Sequence, residues 1–159
     1  MKVWRICRQR HAATAFSGEG SRLASGRWNS VGVPMVYTSL SLSLAVLEMF
    51  VHLDPDEEPD DLVSIAADVP TYEGMLEKEK ISMRLKLPSG WRQAEIRELQ
   101  RIGDEWVDSR RSVSLLVPSV VVDDEWNLLI NPAHPDAGKI KVVETKPFRF
   151  DARMFRRND

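Results

Sequence analysis

Leu42-Ser43-Leu44-Ala45-Val46-Leu47-Glu48-Met49-Phe50-Val51 carries one ionisable group, the carboxyl of Glu48, in a run otherwise apolar apart from Ser43. A helix that is apolar nearly all round belongs in the interior of a domain. The run therefore predicts a buried helix, N-capped by Ser39 or Ser41 and reaching about Leu53. A carboxylate in such a place has to be neutral, paired or used, because an isolated buried charge costs several kcal/mol. Upstream, Ser25-Gly26-Arg27-Trp28-Asn29 presents a guanidinium on a glycine-flanked loop, and Arg27 is the candidate to answer Glu48. The alternatives are a structural ion pair between loop and helix, or a pairing of Glu48 with His52 one turn along the same face.

Around this helix the chain reads as short strands. Val3 to Cys7 alternates with period two, Met35 to Thr38 reads as a short strand, and Leu62 to Ala67 is a further strand. Val113 to Val122 is the strongest strand signal, interrupted by Pro118-Ser119, and a proline there implies an edge, a bulge or a strand end. Ser119 is therefore expected where the chain leaves the sheet. Asp123-Asp124-Glu125 turns the chain into Asn127 to Asn131, and Ile140 to Val143 and Phe148 to Phe150 are expected as two closing strands. Gln93 to about Ser109 places Ile96, Leu99, Ile102 and Trp106 at helical spacing on an amphipathic helix. Gly103 inside it costs roughly 1 kcal/mol against alanine, which points to close packing at that position. Tyr72 to Lys80 reads as a short helix and Pro88-Ser89-Gly90-Trp91 as a turn. Residues 17 to 34 form a long Gly/Ser-rich loop, of the kind that is usually functional or disordered, and Trp28 within it argues against disorder. The whole is α+β, one domain over residues 1–159, with short strands around a buried helix.

Composition narrows the function. A formal net charge of −2 offers no basic face, so direct nucleic-acid binding is not expected, and the arginines at the C-terminal end read as a solvated tail. The lone cysteine, Cys7, cannot form an internal disulfide, and with no signal-peptide pattern the default is the cytoplasm. The longest apolar run is too short to span a bilayer. His11, His52 and His134 are scattered, no paired-cysteine motif exists, and the acidic stretch from Asp54 to Asp61 lacks the central glycine of a calcium loop, so no metal is expected. A P-loop, a Rossmann fingerprint and a nucleophile elbow are all missing. What remains is Arg27 and Glu48, with Tyr37 at the end of the strand feeding the helix and Ser119 at another strand end. A carboxylate with a loop arginine suits a ligand that carries both phosphate and developing positive charge.

Gly26-Arg27-Trp28-Asn29, Val36-Tyr37-Thr38, Ala45-Val46-Leu47-Glu48, Leu116-Val117-Pro118-Ser119 and Asn127-Leu128-Leu129-Ile130-Asn131-Pro132, in that order, resemble the RES-domain toxin family. Ile102-Gly103-Asp104-Glu105-Trp106 and Phe148-Arg149-Phe150-Asp151 also fit, so that the likeness runs from about Trp4 to Arg153. Ser25 departs from the pattern, since a second glycine is common there. The resemblance implies an ADP-ribosyltransferase-like fold and a toxin that consumes NAD+ by cleaving its nicotinamide N-glycosidic bond. It implies Arg27, Glu48 and Ser119 as catalytic residues, with Tyr37 joining them in binding NAD+. Water, phosphate or a protein would accept the ADP-ribose. The implied partner is a helix-turn-helix antitoxin of the Xre type, which blocks the cleft and carries the DNA binding, with room for a homodimer inside a hetero-oligomeric complex. The rival readings are a nuclease-type toxin and a non-catalytic binding domain.

Overall fold

Alternation at the N-terminus produces β1 (Lys2–Arg8), which sends Val3 and Cys7 to one face of a sheet and Trp4 and Ile6 to the other. The computed structural model describes residues 1–54, 56, 58–71, 83, 86–92 and 96–155. The helix expected over Tyr72–Lys80 lies outside them, as do the first residues of the one expected from Gln93. Among the described residues the further strands and α-helices that position the site are, in chain order, α1 (Glu19–Leu23), β2 (Val36–Ser39), α2 (Leu42–Phe50), β3 (Leu62–Asp68), α3 (Ile96–Ser109), β4 (Ser114–Pro118), β5 (Trp126–Ile130) and β6 (Lys141–Phe148). The strands form one sheet in the order β4-β5-β2-β1-β3-β6, antiparallel throughout.

The sheet is not uniformly zipped. β1 pairs with β3 along its whole length, from Lys2 opposite Asp68 to Arg8 opposite Leu62. β2 pairs with β5 from Val36 opposite Ile130 to Ser39 opposite Asn127. Between β1 and β2, however, the register is Trp4 opposite Ser39 alone. Beyond that pair the two strands diverge, and the sheet forks between Arg5–Arg8 on one side and Val36–Thr38 on the other.

Helix α2 lies against β1 and β2, N-capped by Ser41, whose hydroxyl accepts from the Leu44 amide at 3.1 Å. It is not the interior helix its apolar run predicts. Leu44 and Ala45 are buried, but Leu42, Leu47 and Val51 are exposed, Val51 by 53%. The strands lie beneath one face of the helix rather than around it, and α2 ends at Phe50, short of Leu53. Its inner face joins Ile6, Leu62, Phe150 and Phe155, where the Phe50 ring meets Phe150 at 5.7 Å and Phe155 at 5.5 Å.

The larger core gathers Trp28, Met35, Val36, Leu99, Trp106, Leu116 and Leu128–Ile130. α3 enters it through Leu99, Gly103, Trp106 and Val107, the stripe its periodicity predicts, while Ile96 stays exposed. The expected pair of closing strands is one strand, β6, with Phe150 beyond its end. Pro147 does not break it because β6 is an edge strand with β3 as its neighbour. β6 bulges at Val143, since Glu144 stands opposite Ala66 and Val142 opposite Ala67. Pro118 closes β4, the other edge, and Ser119 leaves the sheet as expected. The loop of residues 17–34 contains the short helix α1, which its glycines conceal.

Candidate active site

The Arg27 loop is held by its own asparagine. The side-chain amide of Asn29, fully buried, donates to the carbonyls of Ser21 at 2.8 Å and Ser30 at 3.0 Å. Its Oδ1 accepts from the Gly26 amide at 3.1 Å and from the Tyr37 hydroxyl at 2.8 Å. That hydroxyl in turn accepts from the Trp28 amide at 3.1 Å, so both phenolic valences serve the loop. Burial pushes the Tyr37 phenol well above its ordinary range, with Asp104 adding to the shift and the Trp28 amide and Arg27 opposing it. The phenol therefore stays protonated as the donor to Asn29.

Helix α3 completes the clamp. Gln100 donates to the Gly26 carbonyl at 2.9 Å, and Asp104 accepts from the Ser30 amide at 3.0 Å. A β-carbon on Gly103 would stand 1.9 Å from the Trp28 carbonyl oxygen, and one on Gly26 would stand 2.5 Å from the Tyr37 hydroxyl. Real contacts are never that short, so both glycines mark places where backbone meets its neighbour directly. Close packing at Gly103 is thus a matter of helix against loop. Arg27 itself is half-buried, and no ion pair or hydrogen bond joins it to Glu48 among the described residues.

Glu48 is answered instead by two neutral donors. Oε1 accepts from the Ser119 hydroxyl at 2.8 Å and from the Asn127 side-chain amide. Asn127 is oriented from behind, since its Oδ1 accepts from the Ser39 hydroxyl at 2.7 Å, which leaves its NH2 to face Glu48. Ser119 is fully buried, and its oxygen also accepts from the amides of Val121 and Val122, both at 3.0 Å. Among the described residues no donor meets the second carboxylate oxygen, Oε2. The expected pairings with Arg27 and with His52 are therefore replaced by a serine and an asparagine. Asn127 was not among the candidate residues, because only the register of β2 with β5 sets Ser39 and Asn127 side by side.

The turn carrying Ser119 is braced from outside. Its amide donates to the Glu125 carbonyl at 2.9 Å, and Arg92 reaches its carbonyl at 3.3 Å while pairing with Asp123. Among the described residues no group of three or more His, Cys, Asp or Glu side chains stands together as a metal site.

Fold and site together define an α+β protein in which a locked loop offers an arginine and a helix offers a carboxylate fixed through one oxygen. The family model described as the RES domain matches residues 2–151, and the chain belongs to the RES-domain family. Over 157 residues it is 39% identical to the Prs ADP-ribosylating toxin of Sphingobium sp. (strain YBL2), covering 97% of this chain and 96% of that one. It is 36% identical to Toxin Res of Photorhabdus laumondii subsp. laumondii, covering 97% of each chain. A crystal structure of the M. tuberculosis MbcT–MbcA toxin–antitoxin complex contains a chain of the same fold, with a TM-score of 0.64 at 15% identity over 93% of this chain and 84% of that chain.

Proposed function

We propose that this protein is a toxin that consumes NAD+ by breaking the bond between nicotinamide and ribose, and that a cognate antitoxin neutralises it. The observation that carries the reading is Glu48, held through Oε1 by Ser119 and Asn127 with Oε2 left for a ligand. It is supported by membership of the RES family and by the relative named an ADP-ribosylating toxin.

The chemistry follows from the residues. As the N-glycosidic bond opens, nicotinamide leaves as a neutral molecule and the ribose becomes an oxocarbenium-like cation. A carboxylate already fixed beside that sugar stabilises the cation without having to reorganise, or binds the ribose hydroxyls and aligns the nucleophile. Ser119 and Asn127 do the fixing. Arg27, its backbone locked and its guanidinium at the loop tip, takes the pyrophosphate or the nicotinamide-side ribose as a bidentate donor. Tyr37 offers the flat of its ring to the ligand, while its hydroxyl holds the loop.

No helix among the described residues is long and apolar enough to cross a membrane. The cytosol, where NAD+ is abundant, is the setting we infer. The partner is an Xre-type antitoxin that places a segment in the cleft near Arg27 and Glu48. The exposed apolar residues of α2 are consistent with such an occupant. The test is direct: purified protein is incubated with NAD+ and free nicotinamide is followed. Release of nicotinamide is expected, and the co-product names the acceptor: ADP-ribose for water, its 1″-phosphate for phosphate, a mass gain on a protein for transfer. Intact NAD+ after prolonged incubation would leave the binding-domain reading in its place.

A further inference from the structure

We propose that Arg92 is a positioning residue of the reaction: by clamping Ser119 to Asp123 across the turn that joins β4 and β5, it aims the hydroxyl proton of Ser119 at Glu48. The consequence for turnover rests on the NAD+ reading; the clamp itself does not.

The Ser119 hydroxyl has one proton and two lone pairs to place. Its oxygen accepts from the Val121 amide and from the Val122 amide, both at 3.0 Å, so both lone pairs are taken. The single O–H is then left for Glu48, whose Oε1 it meets at 2.8 Å. Val121 and Val122 belong to the same turn as Ser119, so the shape of that turn decides where the proton points. Were the turn to open, a lone pair would be released and the hydroxyl could rotate away from the carboxylate.

Arg92 spans this turn. Its Nη2 donates to the Ser119 carbonyl at 3.3 Å, and its Nη1 donates to the Asp123 carboxylate. The guanidinium is planar and its donors keep a fixed separation, so one rigid group sets how far residue 119 stands from residue 123. That group is anchored in its turn. Its Cζ lies 5.1 Å from the centroid of the Trp91 ring, a cation–π distance, and the half-buried indole packs against the larger core. Stability alone does not account for these contacts. The Asp123 side chain is 81% exposed, and an ion pair so placed adds little to the stability of a fold. What the pair does fix is the serine at the strand end beside it.

Wild type, Arg92→Met, Arg92→Lys, Ser119→Ala and the double variant Arg92→Met/Ser119→Ala are compared for nicotinamide release and for melting temperature. Amide exchange at Val121 and Val122 is followed by NMR in wild type and Arg92→Met. Arg92→Met is expected to lower kcat about 2- to 10-fold, the effect of losing one hydrogen bond, with KM and melting temperature close to wild type. Its Val121 and Val122 amides should exchange faster than in wild type, while those of β1 and β3 do not change. Arg92→Lys keeps the charge and the pairing with Asp123 but loses the planar fork that also holds the carbonyl, so it should resemble Arg92→Met. In Ser119→Ala no hydroxyl is left to aim, and adding Arg92→Met should lower the rate no further. An undiminished loss from Arg92→Met on top of Ser119→Ala, or full activity in Arg92→Lys, overturns the proposal. So does a raised KM at unchanged kcat, which would make Arg92 a substrate contact. A lowered melting temperature with kcat per folded molecule intact overturns it as well. A wild type that releases no nicotinamide refutes the enzymatic reading; the clamp then stands if Val121 and Val122 exchange faster in Arg92→Met, and falls if they do not.

Discussion

In the Arg27 loop the main chain is pinned, and among the described residues no ion pair or hydrogen bond holds the side chain. At the Glu48 corner the side chain is pinned, and the groups that pin it come from β5 and from the turn after β4. The polar contacts of the loop go to its main chain: Asn29 from within, and Tyr37, Gln100 and Asp104 from β2 and α3, all bond backbone groups between Ser21 and Ser30. The corner spends three side chains, Ser119, Asn127 and Ser39, on a single carboxylate oxygen. The two plans suit two tasks. A group that must follow a large, flexible ligand benefits from a rigid base and a mobile end. A group that must meet charge at one atom benefits from having no freedom at all, because any reorganisation would be subtracted from its effect.

The sharpest way to break the comparison is Glu48→Gln, which keeps the shape of the corner and removes its charge. Turnover of NAD+ is expected to fall by at least about 100-fold, within the range for deleting one electrostatic stabiliser, while the melting temperature stays close to wild type. Measured turnover equal to wild type would show that the corner is scaffolding. Gly103→Ala attacks the loop without removing any polar side chain. Its β-carbon must displace the Trp28 carbonyl, and overpacking of this kind costs about 1–3 kcal/mol, partly offset by the better helix propensity of alanine. Urea denaturation should show the loss, and a shifted Arg27 should lower turnover per folded molecule as well. A stable, fully active variant would mean that α3 can slide without moving the loop.

Ser119→Ala gives the smallest effect and the most informative one. The hydroxyl serves Glu48 and the amides of Val121 and Val122 together. The stability loss should be about 1 kcal/mol, that of an ordinary hydrogen bond. The rate should fall less than in Glu48→Gln, because Asn127 still holds the carboxylate. A rate loss as large as that of Glu48→Gln would assign Ser119 contact with the substrate itself.

Much of this architecture is legible in the sequence where local pattern governs it. The period-two stretches became strands, Pro118 marked a strand end, and a glycine inside an amphipathic helix marked a contact with backbone. Legibility failed where the determining contact is distant in sequence. Asn127 sits within a strand motif, and nothing local says that its partner is 79 residues away on α2. The hydroxyl of Tyr37 is committed to a loop that the sequence places beside it but cannot orient. For α2, an all-round apolar pattern reads the same whether a helix is enclosed or has one face against a sheet and the other uncovered.

The far edge of the sheet has a bearing on how copies of the chain meet one another. β6 exposes both of its faces along nearly its whole length and offers Val142 and Val143 to the surroundings. A strand of that kind is a template on which further chains can stack into aggregates. Three features of β6 spoil the template: the extra residue Val143, between Val142 and Glu144, puts the ladder out of step, Pro147 cannot donate to a neighbour, and the strand carries charge at Lys141, Glu144 and Lys146. A second copy that meets this edge finds no continuous ladder to extend.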